Sequence, residues 1–404
     1  MFREVHKMIT DEHTLAEILP SAQDGLEEYL RLCTLAEDVL FFDIETTGFK
    51  ASASHLYMVG CAFQDKAGAW KIRQYMSVRP EEEAKLLRSF RELLSHFSVL
   101  VHFNGNRFDI PYMKEKYEQY GLPSPFDTIA SVDIYQDVRG LRKFLNLSHM
   151  NQKFLEVFLG RQREDEYDGG RLIAVYRKFC LTGDDGLLHL LLLHNREDVA
   201  GMFLLIRMYA YTDFFRSLGP DTAVLPEDTP AVENSVSGHS SGSARFRAEI
   251  SEHPDETFDL IFRCTLASPV PVPVTRQHGS ALLMLKDKTA SLLMPLWRGD
   301  MLYFFENYRD YYYLPEEDRA IHKSVSGYVG RPYRKNATPQ NCYEHVRGVF
   351  LPQPQPAVYQ PVFRKSYEDS TAWLKLSRED LANGEFLNDY ARLVIRTLFL
   401  SPAR

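Results

Sequence analysis

Three short stretches of the sequence carry carboxylates at spacings that chemistry can use. The first is VLFFDIETTG (39–48), with Asp43 and Glu45. Residues i and i+2 of a strand point to the same face. Both carboxylates therefore project together from a strand end, where the chain turns through Thr46, Thr47 and Gly48. Two like charges placed this way repel unless a cation sits between them. The second stretch is HFNGNRFDIPYMKEK (102–116), in which Asp109 follows an apolar strand and opens a helix. The helix dipole favours a negative group there, so a simple cap accounts for Asp109 as well as catalysis does. Asn104 and Gly105 suit a tight turn, and Phe108 and Tyr112 are placed to pack beneath or against a bound base. The third is LLLHNREDVAGMFLL (191–205), where His194 and Asp198 share one face of a helix. Leucine-rich flanks leave that helix little exposed surface, and a carboxylate buried without a partner costs several kcal/mol.

A shared cation would supply that partner. Hard oxygen ligands suit Mg²⁺ or Mn²⁺. Two such ions about 3.5–4 Å apart clamp the attacking and leaving oxygens of a phosphodiester cleavage. Asp43, Glu45, Asp109 and Asp198 would hold both ions and leave positions open for phosphate and water.

The elements that must position these groups are legible as patterns. Residues 11–35 read as mainly helical, split near Pro20. VLFFDIE (39–45), LYMVGCAFQ (56–64) and AWKIRQY (69–75) read as strands, the last two joined in a hairpin by DKAG. RPEEEAKLLRSFRELLSHF (79–97) reads as a helix with Pro80 and three glutamates in its first turn. SVLVHFNG (98–105) is a buried strand, followed by a helix at about 109–120. IASVDIYQ (129–136) is a fifth strand, and 137–217 is helical. The expected fold class is α/β: a mixed sheet of five strands with helices on both faces. Asp133 in the fifth strand reads as a cap for the next segment, with a supporting place behind the other acids as the alternative, and Asn195 as a helix-surface or packing residue.

In this order, DIETTG, NGNRFDIP and H-x3-D resemble the three motifs of the DEDD-type 3′–5′ exonucleases, a superfamily with the ribonuclease-H-like fold. The resemblance covers about 36–217. Within it the motifs resemble the bacterial YprB-type ribonuclease-H-like domain, itself similar to the proofreading domain of family B polymerases. It implies metal ligands at Asp43, Glu45, Asp109 and Asp198, Mg²⁺ or Mn²⁺ as cofactor, and a single-stranded 3′ end of DNA or RNA as substrate. Thr46, Asn104, Phe108 and Tyr112 would then touch nucleic acid. The third motif departs from the pattern. The tyrosine subgroup has Y-x3-D and the histidine subgroup H-x4-D, whereas His194 keeps the first spacing with the second residue type. Neutral imidazole takes a proton near pH 7, so the expected role of His194 is general base. A packed histidine, or one that only orients water, is the alternative.

Beyond 217 the composition changes. LGPDTAVLPEDTPAVENSVSGHSSGS (218–243) is rich in Pro, Ser, Gly and acid and reads as a linker. From 244 to 404 short strands dominate (FDLIFRCTL, SALLMLK, ASLLMPLW and MLYFFENY), closed by a helix at 378–400. This predicts a smaller strand-rich α+β domain, barrel-like in pattern. Between 321 and 365 seven basic residues (Lys323, Arg331, Arg334, Lys335, Arg347, Arg364 and Lys365) face one acid, Glu344. Tyrosines interleave with them. Cations and aromatic faces are what single-stranded nucleic acid uses, and Arg331, Arg334 and Lys335 are the expected contacts. A β-domain core of tyrosines rimmed by snorkelling basic side chains is the competing account.

The totals bound the rest. The 404 residues favour two or three domains, preceded by a helical extension over 1–35. A net charge of −8 argues against coating DNA by bulk electrostatics, while leaving room for a local basic groove. Five cysteines, at 33, 61, 180, 264 and 342, form no CxxC pair, which disfavours zinc ribbons and disulfide frameworks and favours a reducing compartment. The charged N-terminus is no signal peptide, and no stretch of about 18 apolar residues occurs. The expectation is a cytoplasmic protein with no membrane partner. Two other readings of the same residues stay open: a non-catalytic nucleic-acid-binding module that retains the fold, and a structure-selective endonuclease.

Overall fold

The computed structural model describes residues 8–18, 38–165, 167, 169–219, 243–253 and 257–400. The chain divides into two compact units, the first built mainly from residues before 217 and the second mainly from those after 243.

The first unit holds a mixed sheet of six strands in the order β1-β4-β3-β2-β5-β6. These are β1 (Ile9–Thr14), β2 (Val39–Thr46), β3 (Leu56–Gln64), β4 (Trp70–Met76), β5 (Val99–His102) and β6 (Ala130–Asp133). β2 runs antiparallel to β3 and parallel to β5, and β5 parallel to β6. The sixth strand corrects the expected five. β1 begins the stretch read as helical from residue 11, of which only the turn Leu15–Ile18 is helix; residues 19–35 lie outside those described. ITDEHT has no apolar period of its own. It is ordered by pairing with β4, from Ile9 opposite Met76 to Thr14 opposite Lys71, and by Arg73 Nε donating to Glu12 at 2.8 Å. No local signal in the sequence encodes such an edge strand.

Alternation along β2 divides the packing. Leu40, Phe42 and Ile44 enter one core with Leu86, Leu87, Phe90, Met113 and Tyr117. Those residues come from α1 (Glu83–Leu94) and α2 (Asp109–Gln119). Phe41, Asp43 and Glu45 face the other way, and Phe41 stacks on Phe203 with centroids 4.2 Å apart. That side is covered by α3 (Gln152–Phe158), α4 (Gly169–Thr182) and the long helix α5 (Asp185–Leu205), followed by α6 (Tyr209–Ser217). Gly60 lets α5 come this close, since a Cβ there would collide with the Asn195 amide and Val199. β6 is shorter than expected. Asp133 Oδ1 accepts from Gln136 N and turns the chain into a helix over Ile134–Val138, so the capping role read for Asp133 holds.

The second unit is strand-rich. An eight-stranded sheet comprises β7 (Arg247–Glu252), β8 (Phe258–Thr265), β9 (Val274–His278), β10 (Ala281–Lys286), β11 (Thr289–Phe304), β15 (Tyr343–Gln353), β16 (Phe363–Arg364) and β17 (Ala372–Leu376). β12 (Tyr311–Leu314), β13 (Arg319–His322) and β14 (Lys335–Asn336) form a small separate sheet. The two strands expected at ASLLMPLW and MLYFFENY are one strand of 16 residues, β11. Its polar middle, Arg298-Gly299-Asp300, reads as a break, but Gly299 takes a φ of 155° and the ladder continues. The helix expected over 378–400 is interrupted at Asn383, whose side chain caps α7 (Gly384–Ile395). Among the described residues no helix is long and apolar enough to cross a membrane. Cys61, Cys180, Cys264 and Cys342 are free thiols, Cys180 exposed and the others buried.

Candidate metal centre and nucleic-acid surface

β2 delivers Asp43 and Glu45 to the face covered by α5, and α5 delivers His194, Asn195 and Asp198 to the same place. Glu45, His194 and Asp198 each bring one ligand atom within 4.8 Å of the others. His194 Nε2 lies 3.1 Å from Asp198 Oδ2 and 3.5 Å from Glu45 Oε1. Asp43 Oδ2 accepts from Asn195 Nδ2 at 3.0 Å, and Asn195 Oδ1 accepts from Gln74 Nε2 at 2.9 Å. Tyr57 Oη donates to Glu45 Oε2 at 3.4 Å. Asn195 is fully buried against Gly60, so of the two roles read for it the surface one falls and the packing one stands, and its amide also holds Asp43.

The electrostatics tie Asp109 to this group. Burial raises the Asp43 carboxyl well above its ordinary range, and the charges of Asp198, Glu45 and Asp109 raise it further, against the Asn195 amide. Glu45 is raised in the same way by burial and by Asp198 and Asp109. Burial pushes Asp109 up to about 7, partly offset by backbone N–H donors. Carboxyls that raise one another's pKa in this manner are short of positive charge. A divalent cation would supply it, and the carboxylate oxygens, hard donors, fit Mn²⁺ or Mg²⁺, with the His194 imidazole beside them.

His194 is held from behind. Its Nδ1 is 2.6 Å from Asp165 Oδ2. Asp165 also accepts from Lys153 Nζ at 2.8 Å and from Tyr167 N at 2.9 Å. Burial acts to raise the Asp165 carboxyl, but these hydrogen bonds and His194 hold it below its ordinary range. An ionised carboxylate only accepts, so Nδ1 carries the proton and Nε2 is the atom aimed at Glu45 and Asp198.

Asp198 is held from the side. Arg163 Nη1 donates to its Oδ1 at 2.6 Å, leaving Oδ2 toward His194. Arg163 also makes a two-pronged contact with the fully buried Glu156, at 2.7 Å from Nε and 2.5 Å from Nη2. Arg161 Nη1 donates to the same carboxylate at 3.0 Å. Gly201 completes the approach, since a Cβ there would strike Glu156. Asp165, Arg163 and Glu156 were not singled out in the sequence. The run RQRED (161–165) packs two basic and two acidic residues into five positions, but its partners lie about thirty positions further along the chain and no local pattern names them.

The residues expected to touch nucleic acid fall in two places. Thr46 Oγ1 donates to Gly48 O at 2.9 Å and is used in the turn. Tyr112 is 3% exposed, with its hydroxyl 2.8 Å from Ser54 Oγ, so it supports Phe108 from below and has no face open to a base. Phe108 packs on Tyr112 and meets Phe49, which is 91% exposed and was passed over in the sequence. Asn104 takes a φ of 62° at the end of β5. In the second unit Arg331 and Lys335 are exposed, and Arg334 lies 4.6 Å above the Tyr312 ring. Tyr328 is 98% exposed, whereas Tyr313 and Tyr343 donate to Asp318 Oδ1 at 2.6 Å each and Tyr311 stacks on Phe305. The tyrosines thus divide between a structural cluster and an outer rim.

Residues 40–210 match the RNase_H superfamily family model. The fold is accordingly ribonuclease-H-like in the first unit, with the strand-rich second unit following it. A 92-residue segment, 23% of this chain, is 32% identical to DNA polymerase 1 of Aeropyrum pernix and covers 9% of that protein. Among solved structures, the family B DNA polymerase of Pyrobaculum calidifontis is similar over 69% of this chain and 37% of its own, at 16% identity and a TM-score of 0.37. An exonuclease I structure is similar over 39% of this chain and 44% of its own, at 13% identity and a TM-score of 0.27. The chain spans less than half the length of each of these proteins.

Proposed function

We propose that this protein is a divalent-metal-dependent nuclease of DEDD type that removes nucleotides from a single-stranded 3′ end. The observation that carries the reading is the cluster of Glu45, His194 and Asp198, with Asp43 held beside it by Asn195 and the charges of Asp43's neighbours and of Asp109 acting on the same carboxyls. The RNase_H superfamily match over 40–210 and the segment similar to a DNA polymerase support it. Its motifs also resemble those of the YprB-type domain.

Divalent ions bound there would supply Lewis acidity toward the phosphate and lower the pKa of water. Asp43, Glu45, Asp109 and Asp198 would hold them. Asn195 keeps the Asp43 carboxylate turned inward, and Arg163 does the same for Asp198. His194 takes the proton of the attacking water at Nε2, with Asp165 fixing the tautomer at Nδ1. Phe108 and Phe49 offer edges to the terminal base, and in the second unit, taken by itself, Arg331, Arg334 and Lys335 offer charge to phosphates of a nucleic acid.

The test is a 5′-labelled single-stranded oligonucleotide incubated with Mn²⁺ or Mg²⁺. A ladder shortening from the 3′ end, absent in Asp43→Ala and Asp198→Asn, is the expected result. Internal fragments would indicate an endonuclease instead. Binding without any cleavage would indicate a module that retains only the fold.

A further inference from the structure

A second feature of the first unit lies outside the acid cluster. A cleft of about 720 Å³ is lined by Phe103, Asn104, Tyr135, Arg139, Arg142 and Asn151, among others. That volume is in the range of small-ligand sites. Phe103 and Tyr135 meet edge to face, with centroids 5.6 Å apart. Arg139 and Arg142 begin and end one 3₁₀ turn, where residues i and i+3 eclipse. Both guanidiniums therefore stand on one side. Neither is in an ion pair among the described residues. Arg142 is braced by Nη2 donating to Ser148 O at 2.8 Å and Nε to Leu147 O at 3.3 Å.

Two atoms mark what the cleft is made for. Arg139 Nε is a buried donor and Asn104 Oδ1 a buried acceptor, and neither has a hydrogen-bond partner among the described residues. Unsatisfied buried polar groups are costly and rare, so each points to a partner that binds. Their chemistry is complementary to a nucleotide: an anionic acceptor for the arginines, a polar donor for the amide, and a ring for the aromatic pair. The cleft also adjoins the acids. Asn104 N donates to Asp133 Oδ1 at 2.8 Å, and the Asp133 charge acts on Asp109.

We propose that this cleft is a nucleotide subsite that takes one unit of a single strand, with phosphate on Arg139 and Arg142, base against Phe103 and Tyr135, and its polar edge on Asn104 Oδ1. The assignment deepens the nuclease reading and rests on it for the identity of the strand, but its test does not require cleavage.

The test uses the full chain in EDTA with fluorescein-labelled hexathymidylate, read by anisotropy. Arg139→Gln and Tyr135→Ala should each weaken binding about tenfold, while Tyr135→Phe stays near wild type. A milder variant, Arg139→Lys, keeps the charge and lacks the Nε donor, and should fall between. In wild-type protein, a bromouracil-substituted hexamer should cross-link to the peptides carrying Phe103 or Tyr135, which does not depend on any variant folding. With Mn²⁺ present the same variants should raise KM and spare kcat. Lost affinity in the variants with no cleavage by wild type would keep the subsite and sink the nuclease reading. Cleavage by wild type, with variant affinity and KM within twofold of it and no such cross-link, would sink the subsite and keep the nuclease. Failure of wild type to bind the hexamer would overturn the subsite as well.

Discussion

Asp165 decides how His194 is read. A histidine at the third motif is ambiguous in sequence, because both packing and proton transfer account for it. The carboxylate behind Nδ1 turns Nε2 toward Glu45 and Asp198. Asp165→Asn is therefore expected to lower kcat by roughly 10–100-fold, the usual effect of losing such a support, with little change in KM. His194→Gln should lower kcat by roughly 10²–10⁴ while oligonucleotide affinity is kept. A variant that matches wild type from pH 6 to 9 rules His194 out as the base. The acids give a second expectation. Asp109 is held near 7, and Asp43 and Glu45 are also raised, so the folded state binds more protons than the unfolded one. Stability without metal should then fall as pH rises from about 4, the unfolded carboxyl value, through about 7. Saturating Mn²⁺ should reverse the trend, adding about 2.7 kcal/mol at a hundredfold excess over its Kd. Calorimetry in EDTA and in Mn²⁺ at pH 5 and pH 8 reads both. A melting temperature independent of pH in EDTA would contradict the crowded-carboxylate picture.

At the scale of elements, the candidate site depends on how closely α5 lies against β3 and α3. Gly60→Ala places a methyl group in the Asn195 amide and should destabilise by about 1–3 kcal/mol. Because Asn195 holds Asp43, metal affinity should fall with it. Glu156→Ala strands two arginines beside a buried cavity and should cost about 3–5 kcal/mol, whereas Glu156→Gln retains part of the bonding. Thermal melts distinguish these. Equal melting for wild type and Gly60→Ala would mean that α5 has room to give. The same elements show which parts of the fold were legible. β2, β3, β5, α1 and α5 carry strong apolar runs or periods, and their packing follows from them. β1 does not, because an edge strand with alternating acid and threonine is specified by its partner. The shared faces of Asp43 with Glu45 and of His194 with Asp198 were legible because strand and helix periodicity fix where side chains point. Asp165, Arg163 and Glu156 were not. Asp165 reaches His194 across 29 positions and Arg163 reaches Asp198 across 35, while Glu156 joins a helix to the loop that follows it. Nothing local encodes those pairings.

For the whole molecule, the question is what the second unit contributes. Its basic rim, with Arg331, Arg334 and Lys335, contrasts with a net charge of −8 for the chain. If the rim engages phosphates, reversing all three to glutamate should weaken oligonucleotide binding. It should also flatten the plot of log affinity against log salt, by about 0.7 for each phosphate of a single strand that is no longer neutralised. An unchanged slope would locate the binding surface elsewhere. The tyrosines near this rim, which allowed two readings in sequence, divide between them: Tyr313 and Tyr343 are tied to Asp318, while Tyr328 and Tyr333 face solvent.

The 16-residue strand β11 has a consequence of a different kind. Its first half pairs with β8 and β10, and its second half with β15 and β16. One continuous backbone is thus the common seam of both halves of the larger sheet. Neither half can melt without unzipping that seam, so the unit should open as a single cooperative block. Amide protons from Ala290 to Tyr303 should then exchange with one shared opening free energy, despite the glycine in their midst.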